Sequence, residues 1–185
     1  MRAAEPRRLA LGAGALWLLL SANVSVAGDT GPARESAGGA LSASSRAIIK
    51  TFAQTNLLAL EAARLAKQKG QSADVKEFAD AMESEHAQAA DRLKHFAQQK
   101  GVPVQDSLES KDAAKLAKLQ RLQGAEFDRA YSQEMVQTHQ DAVKLFEAAA
   151  SSAPETDVQA YAQSQLPMLR KHLRMAQSLP AAART

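Results

Sequence analysis

The sequence predicts an all-α protein: a four-helix bundle with a short extra helix in its crossover and a kinked last helix. Three observations carry this. Aromatic residues make up only 4% of the chain, while Ala, Leu, Gln and Lys are abundant, a composition suited to helices and poor for a sandwich or barrel. Four long stretches place their apolar residues on one stripe at the helical period. Helix-stopping residues fall between them, at Gly70, Gly101 with Pro103, Gly124, Pro154 and Pro180. With 185 residues the chain is long enough for one domain with a real core.

Residues 1–27 read as an export signal. Arg2, Arg7 and Arg8 precede the apolar run Leu9–Leu20, and Ser25-Val26-Ala27 offers small residues to a signal peptidase. The run is short for a membrane span, which needs ~20 residues. Arg7-Arg8 also bears a weak likeness to a twin-arginine signal. The expectation is a periplasmic or secreted protein, possible outer-membrane association included, with no integral span once the signal is cleaved. Residues 28–44, rich in Gly, Ser and Ala, are expected to be a disordered spacer before a bundle over 45–180 and a tail over 181–185.

The first helix starts at Ser44 or Ser45 as N-cap and runs to about Lys69, with Ile48, Ile49, Phe52, Leu60 and Ala63 on its apolar face. Asn56 falls on that face too. Gly70 should close it in the left-handed conformation. Ser72 caps the second helix, which runs to about Lys100 with Val75, Phe78, Met82, Ala89, Ala90, Leu93 and Phe96 inward. A loop follows, then a short amphipathic helix over Ser110–Leu122. The third long helix, Ala125–Ala150, carries Phe127, Tyr131, Met135, Ala142, Phe146 and Ala149 on one stripe. The last runs from Pro154 or Thr156 to Leu179, and Pro167 within it removes a backbone hydrogen bond, so a kink is expected there.

Charge and cysteine content narrow the function. The net charge is +3, but without Arg2, Glu5, Arg7 and Arg8 the remaining 20 basic and 19 acidic residues leave +1. Basic residues are interspersed with acidic ones, so nothing points to nucleic acid. The chain has no Cys, which rules out disulfides and thiolate metal sites within it. It has no nucleophile elbow, HExxH or phosphate-binding Gly-rich loop.

One pattern remains. Three long helices each bring Met-x-x-x-His to an apolar stripe: Met82 with His86, Met135 with His139, Met168 with His172. Residues i and i+4 stand nearly in line, so each Met lies one turn from its His. A histidine in an apolar seam needs a partner or a reason. One reading is a metal site: imidazole suits copper, iron and zinc, and thioether sulfur selects Cu(I). The other is a polar layer in which the histidines pair with each other and with Asn56 or Tyr131, fixing helix register, with Met as gap-filler. Glu83-x-x-His86 matches the spacing of di-iron bundles, but Val136 and Leu169 stand at the equivalent places before His139 and His172. Glu61 reads as exposed or marginal, and His95, among Asp91, Arg92, Gln98 and Gln99, as solvated.

The stretches from Thr55 to Val102, and above all AEFDRAY, EMVQTHQ and LPMLRKHL, resemble the bacterial ferritin-like domain of unknown function 4142, a family labelled predicted outer membrane protein. The resemblance implies a ferritin-like bundle in an exported protein and no established activity. It aligns the family's histidines with His86, His139 and His172. Family members usually carry Asp where this chain has Glu85, and many carry an acidic residue where it has Ala59. The outer-membrane label does not match a chain without alternating strands.

Two functions stay open. One is an exported, non-catalytic bundle that binds an envelope component or a second copy of itself, in a stress-related role. The other is a periplasmic protein binding copper, iron or zinc through His86, His139, His172, Met82, Met135 and Met168. A redox enzyme at that centre would need more ligands than the inward residues supply.

Overall fold

The computed structural model describes residues 41–179. The expected signal, nearly all of the spacer and the tail lie outside them. The described residues form five helices and no strand: α1 (Ala43–Lys69), α2 (Ala73–Gln99), α3 (Ser110–Gln120), α4 (Gly124–Ser152) and α5 (Thr156–Ser178). Among the described residues no helix is long and apolar enough to cross a membrane.

The four long helices make a ferritin-like bundle from two antiparallel hairpins. On α1 and α2, Asn56 meets His86, Arg64 meets Glu83 and Lys67 meets Asp80. On α4 and α5, His139 faces His172 and Glu147 pairs with Arg170. The hairpins also run antiparallel to each other, with Phe52 of α1 stacked on Phe146 of α4 at 3.8 Å between centroids. Lys100, after α2, pairs with Asp157 at the start of α5, whereas the start of α4 lies beside the α1–α2 turn. The connection between α2 and α4 must therefore return along the whole bundle. It does so on α1, where the Gln54 amide donates to Ser107 O and accepts from Glu109 N. Higher up, Lys69 Nζ donates to the carbonyls of Gln120 and Leu122.

Several local expectations are corrected. The N-cap of α1 is Ser42, whose hydroxyl accepts from Ser45 N–H, so the helix begins inside the stretch expected to be spacer. Ser45 is instead buried, and its hydroxyl donates to Glu155, a partner that lies 110 residues away. Gly70 is not left-handed: its φ is −56° and its ψ 136°. Glycine is needed there for space, because a Cβ would stand 2.6 Å from Ala66 O. The left-handed glycines are Gly101 (φ 62°) and Gly124 (φ 56°), and Gly124 opens α4. Helix α3 ends at Gln120, two residues early. Pro167 lies inside α5, as expected, on its exposed side.

The core falls into two apolar clusters. One gathers Val75, Phe78, Met82, Phe127, Tyr131 and Met135. The other gathers Ile49, Phe52, Leu93, Phe146, Val158 and Leu169. Each long helix contributes to both, and on each the change of cluster coincides with a polar residue: Asn56, His86, His139 and His172. Burial of the apolar side chains contributes roughly 1.5–3 kcal/mol for each large one. The polar layer between them adds nothing of that kind and has to be explained by its hydrogen bonds or its chemistry.

Candidate metal centre

The bundle brings His86, His139 and His172 together. One ring nitrogen from each lies within 4.8 Å of the other two. Ring centroids are 5.6 Å apart for His86 and His139, 5.1 Å for His86 and His172, and 5.5 Å for His139 and His172. All three rings are at most 2% exposed.

Their hydrogen bonds fix the tautomers. Asn56 Nδ2 donates to His86 O at 3.0 Å, so its other amide atom, Oδ1, faces His86 Nδ1 at 2.8 Å. An amide oxygen only accepts, which puts the proton of His86 on Nδ1. His139 Nδ1 stands 2.8 Å from Met135 O, another pure acceptor, so its proton is on Nδ1 as well. The two Nε2 atoms face each other at 3.4 Å. With both Nδ1 atoms protonated, each Nε2 presents a lone pair and no proton lies between them. Moving a proton to either Nε2 would set an Nδ1 lone pair against an oxygen. No neutral arrangement satisfies all four nitrogens.

A proton added to the pair would resolve the conflict, but burial opposes it. Burial, helped by the proximity of His172, holds His139 down at about 4 despite the Met135 carbonyl, which acts in the other direction. Burial and the two neighbouring imidazoles push His86 well below the ordinary histidine value. His172 is also lowered, by burial first, against the pull of Glu85. At neutral pH the layer consists of three uncharged imidazoles.

A shared cation is the other resolution. Two nitrogens bound to one ion at ~2.0–2.1 Å with tetrahedral or trigonal angles stand about 3.3–3.6 Å apart. The observed 3.4 Å lies in that interval. An Nδ1–H held by an oxygen is also the usual support for a histidine that binds metal through Nε2.

His172 completes the trio on different terms. Neither of its ring nitrogens has a hydrogen-bond partner among the described residues, although it is fully buried. Its Nε2 lies 3.2 Å from Glu85 Oε2, an ion-pair distance without hydrogen-bond geometry, and Glu85 is also paired to Lys171. Its ring is therefore the least constrained of the three.

Other sequence candidates separate from this centre. Tyr131 was expected as a polar partner, but its hydroxyl is buried without a hydrogen-bond partner among the described residues, and burial pushes its pKa up. It stacks on Phe127 in the apolar cluster instead. Met82 and Met135 are fully buried in that same cluster, whereas Met168 packs with the other. Glu83, the carboxylate with di-iron spacing, is committed to Arg64 and Lys67. Glu61 pairs with Arg64, and His95 is exposed beside Gln99. Glu85 is the neighbour that periodicity passed over. It precedes His86 in the chain, so it lies about 100° around the helix from it, toward α5. The acidic preference at that position in the resembling family was its one signal.

An up-down bundle with a long crossover and a buried layer of three imidazoles defines the class: a ferritin-like helical protein with a candidate metal centre made of side chains alone. The chain belongs to the family described as Domain of unknown function (DUF4142), whose model matches residues 30–179. Two solved structures are similar in fold. A DUF305 fragment from Deinococcus radiodurans is 16% identical with a TM-score of 0.65, over 75% of this chain and 96% of that one. CopM in the Cu(I)-bound form is 19% identical with a TM-score of 0.58, over 72% of this chain and 92% of that one. No curated protein matches the chain.

Proposed function

We propose that this protein is an exported, non-catalytic metal-binding bundle that holds monovalent copper between His86, His139 and His172. The observation that carries the reading is the pair of Nε2 lone pairs facing each other at 3.4 Å in a buried layer of the core. Three neutral imidazoles bring no compensating negative charge, and the nearest carboxylate, Glu85, is already paired with Lys171. Burying one positive charge there costs less than burying two, which favours Cu(I) over Zn(II) or Fe(II). The Cu(I)-bound state of the similar CopM structure supports the same ion. Small buried space around the rings suits storage or transfer of the ion better than a reaction at it. The leader over residues 1–27 supports a periplasmic setting.

A second reading is favoured by one contact. The Asn56–His86 pair ties α1 to α2 through two hydrogen bonds, as a layer that fixes register would. Anaerobic titration of the apo protein with Cu(I) against a chromophoric chelator separates the two. The copper reading expects one equivalent bound and loss of binding in His139→Ala. No uptake, or equal uptake by His139→Ala, leaves the register layer as the function of the trio.

A further inference from the structure

We infer that copper reaches the buried histidines through a small cavity beside His86, and that Met168 is the ligand it meets on the way. This rests on the copper reading above and adds a route and a filter to it. The cavity has room for about one water, roughly 20 Å³, and its wall includes Asn56, His86, Gln165, Met168, Phe52 and Leu169. His86 is thus reached from the side away from the apolar cluster that contains Met82 and Met135.

The three methionines that look alike in the sequence are not alike in place. Met82 and Met135 are 0% exposed. Met168 is only half-buried, lines the cavity, and stands one turn before His172 on α5. Of the three methionines, it alone combines part exposure with a place on the wall of the space beside His86.

A cavity of one water's size does not admit an ion with its hydration shell. The ion must exchange water for protein ligands as it enters; Phe52 and Leu169 offer none, and the oxygens of Thr55, Asn56, Tyr161 and Gln165 on the same wall are hard donors that suit a soft ion poorly. A thioether suits a soft monovalent ion well; for Zn(II), whose hydration is stronger and whose preference is for nitrogen and oxygen, it offers little. Met168 therefore lowers the barrier for Cu(I) and does nothing for Zn(II), whose entry would draw on the oxygen donors of the wall instead. It acts on the rates of loading and release alike, because the ion rests on the histidines at the end.

The test is stopped-flow transfer of Cu(I) from a chromophoric chelator to the full apo chain, and back, under anaerobic conditions. Met168→Leu should slow both directions by about tenfold or more, the loss of roughly one soft contact at the barrier, with Kd unchanged. Met82→Leu should load at the wild-type rate, and Zn(II) loading should not respond to Met168→Leu. Wild-type rates in Met168→Leu, or equal slowing in Met82→Leu, would overturn the route. A weaker Kd in Met168→Leu with loading unchanged would overturn it too, by making Met168 a resident ligand. If the wild type takes up no Cu(I), the copper reading falls and the route with it. If uptake depends on His139 but not on Met168, only the route falls.

Discussion

Two buried polar sites share helix α4, about 16 Å apart at ~1.5 Å per residue, and they are built on opposite principles. Near its start, Asp128 is 5% exposed and its two carboxylate oxygens accept from the backbone of Gln71 at 2.9 Å and Ser72 at 2.8 Å. Those N–H groups belong to the tight turn between α1 and α2 and have no helical partner. Acceptors and donors cancel, and the site is closed. Near the middle of α4, His139 leaves a lone pair facing another lone pair, and His172 beside it has no hydrogen-bond partner among the described residues. Buried polar groups in a folded core are normally satisfied, so the Asp128 site has the character of a fastening and the histidine site is what the proposed ion would complete.

The largest effect expected from that contrast is on metal-linked stability. Cu(I) at about 100 times Kd should stabilise the wild type by about 2.7 kcal/mol, seen as a rise of several degrees in Tm. His139→Ala should remove the rise, while Asp128→Asn should lower the starting Tm and keep it. A rise that survives in His139→Ala would place the ion elsewhere.

Acid should act on the same site. The histidines titrate lower in the folded protein than in the unfolded chain, so the unfolded chain binds more protons between the two values. Their contribution is complete above about pH 6.5, the unfolded value, and is lost as pH falls toward about 4, the folded value of His139. The loss from His139 alone is on the order of 3 kcal/mol. Urea unfolding of the apo protein at pH 7 and pH 4.5 measures it. Bound Cu(I), which needs the imidazoles unprotonated, should carry the plateau to lower pH.

Asp128→Asn comes next. It replaces one accepting oxygen by an amide N–H that abuts a backbone N–H, for a loss of about 1–3 kcal/mol without change in Cu(I) affinity. A fall in affinity would mean the two sites are coupled along α4. Periodicity gave all four long helices to within a few residues, because each has a continuous apolar stripe and a stop residue at its end. It also gave the seam position of His86, His139, His172 and Asn56. What it lacked was partners. Asp128 acts on backbone groups 56 and 57 residues away, and nothing in the pattern around it announces them. The difference between Met168 and Met82 is likewise tertiary: identical Met-x-x-x-His spacing places one at a cavity and the other in a sealed cluster. Gly70 was misjudged for a related reason, since crowding by Ala66 O demands glycine as firmly as a positive φ does.

The smallest effect is expected where the sequence pattern looked most like a ligand. Glu83 has the Glu-x-x-His86 spacing of a di-iron helix, yet on α2 it faces α1, with Oε1 at 3.3 Å from Arg64 Nε and Oε2 at 2.8 Å from Lys67 Nζ. Those two cations hold its carboxyl below the usual range, Lys67 first. Lys67 can fall back on Asp80 at 2.8 Å, and Arg64 on Glu61 at the same distance. Glu83→Gln should therefore leave Tm at the wild-type value within error, the usual outcome for an exposed ion pair with alternatives. Cu(I) affinity should not move either, because no contact joins Glu83 to an imidazole. A clear loss of metal affinity in Glu83→Gln would show that the carboxylate turns inward on loading. The centre would then be a mixed carboxylate–histidine site for a divalent ion, and the sharp contrast with Asp128 would dissolve.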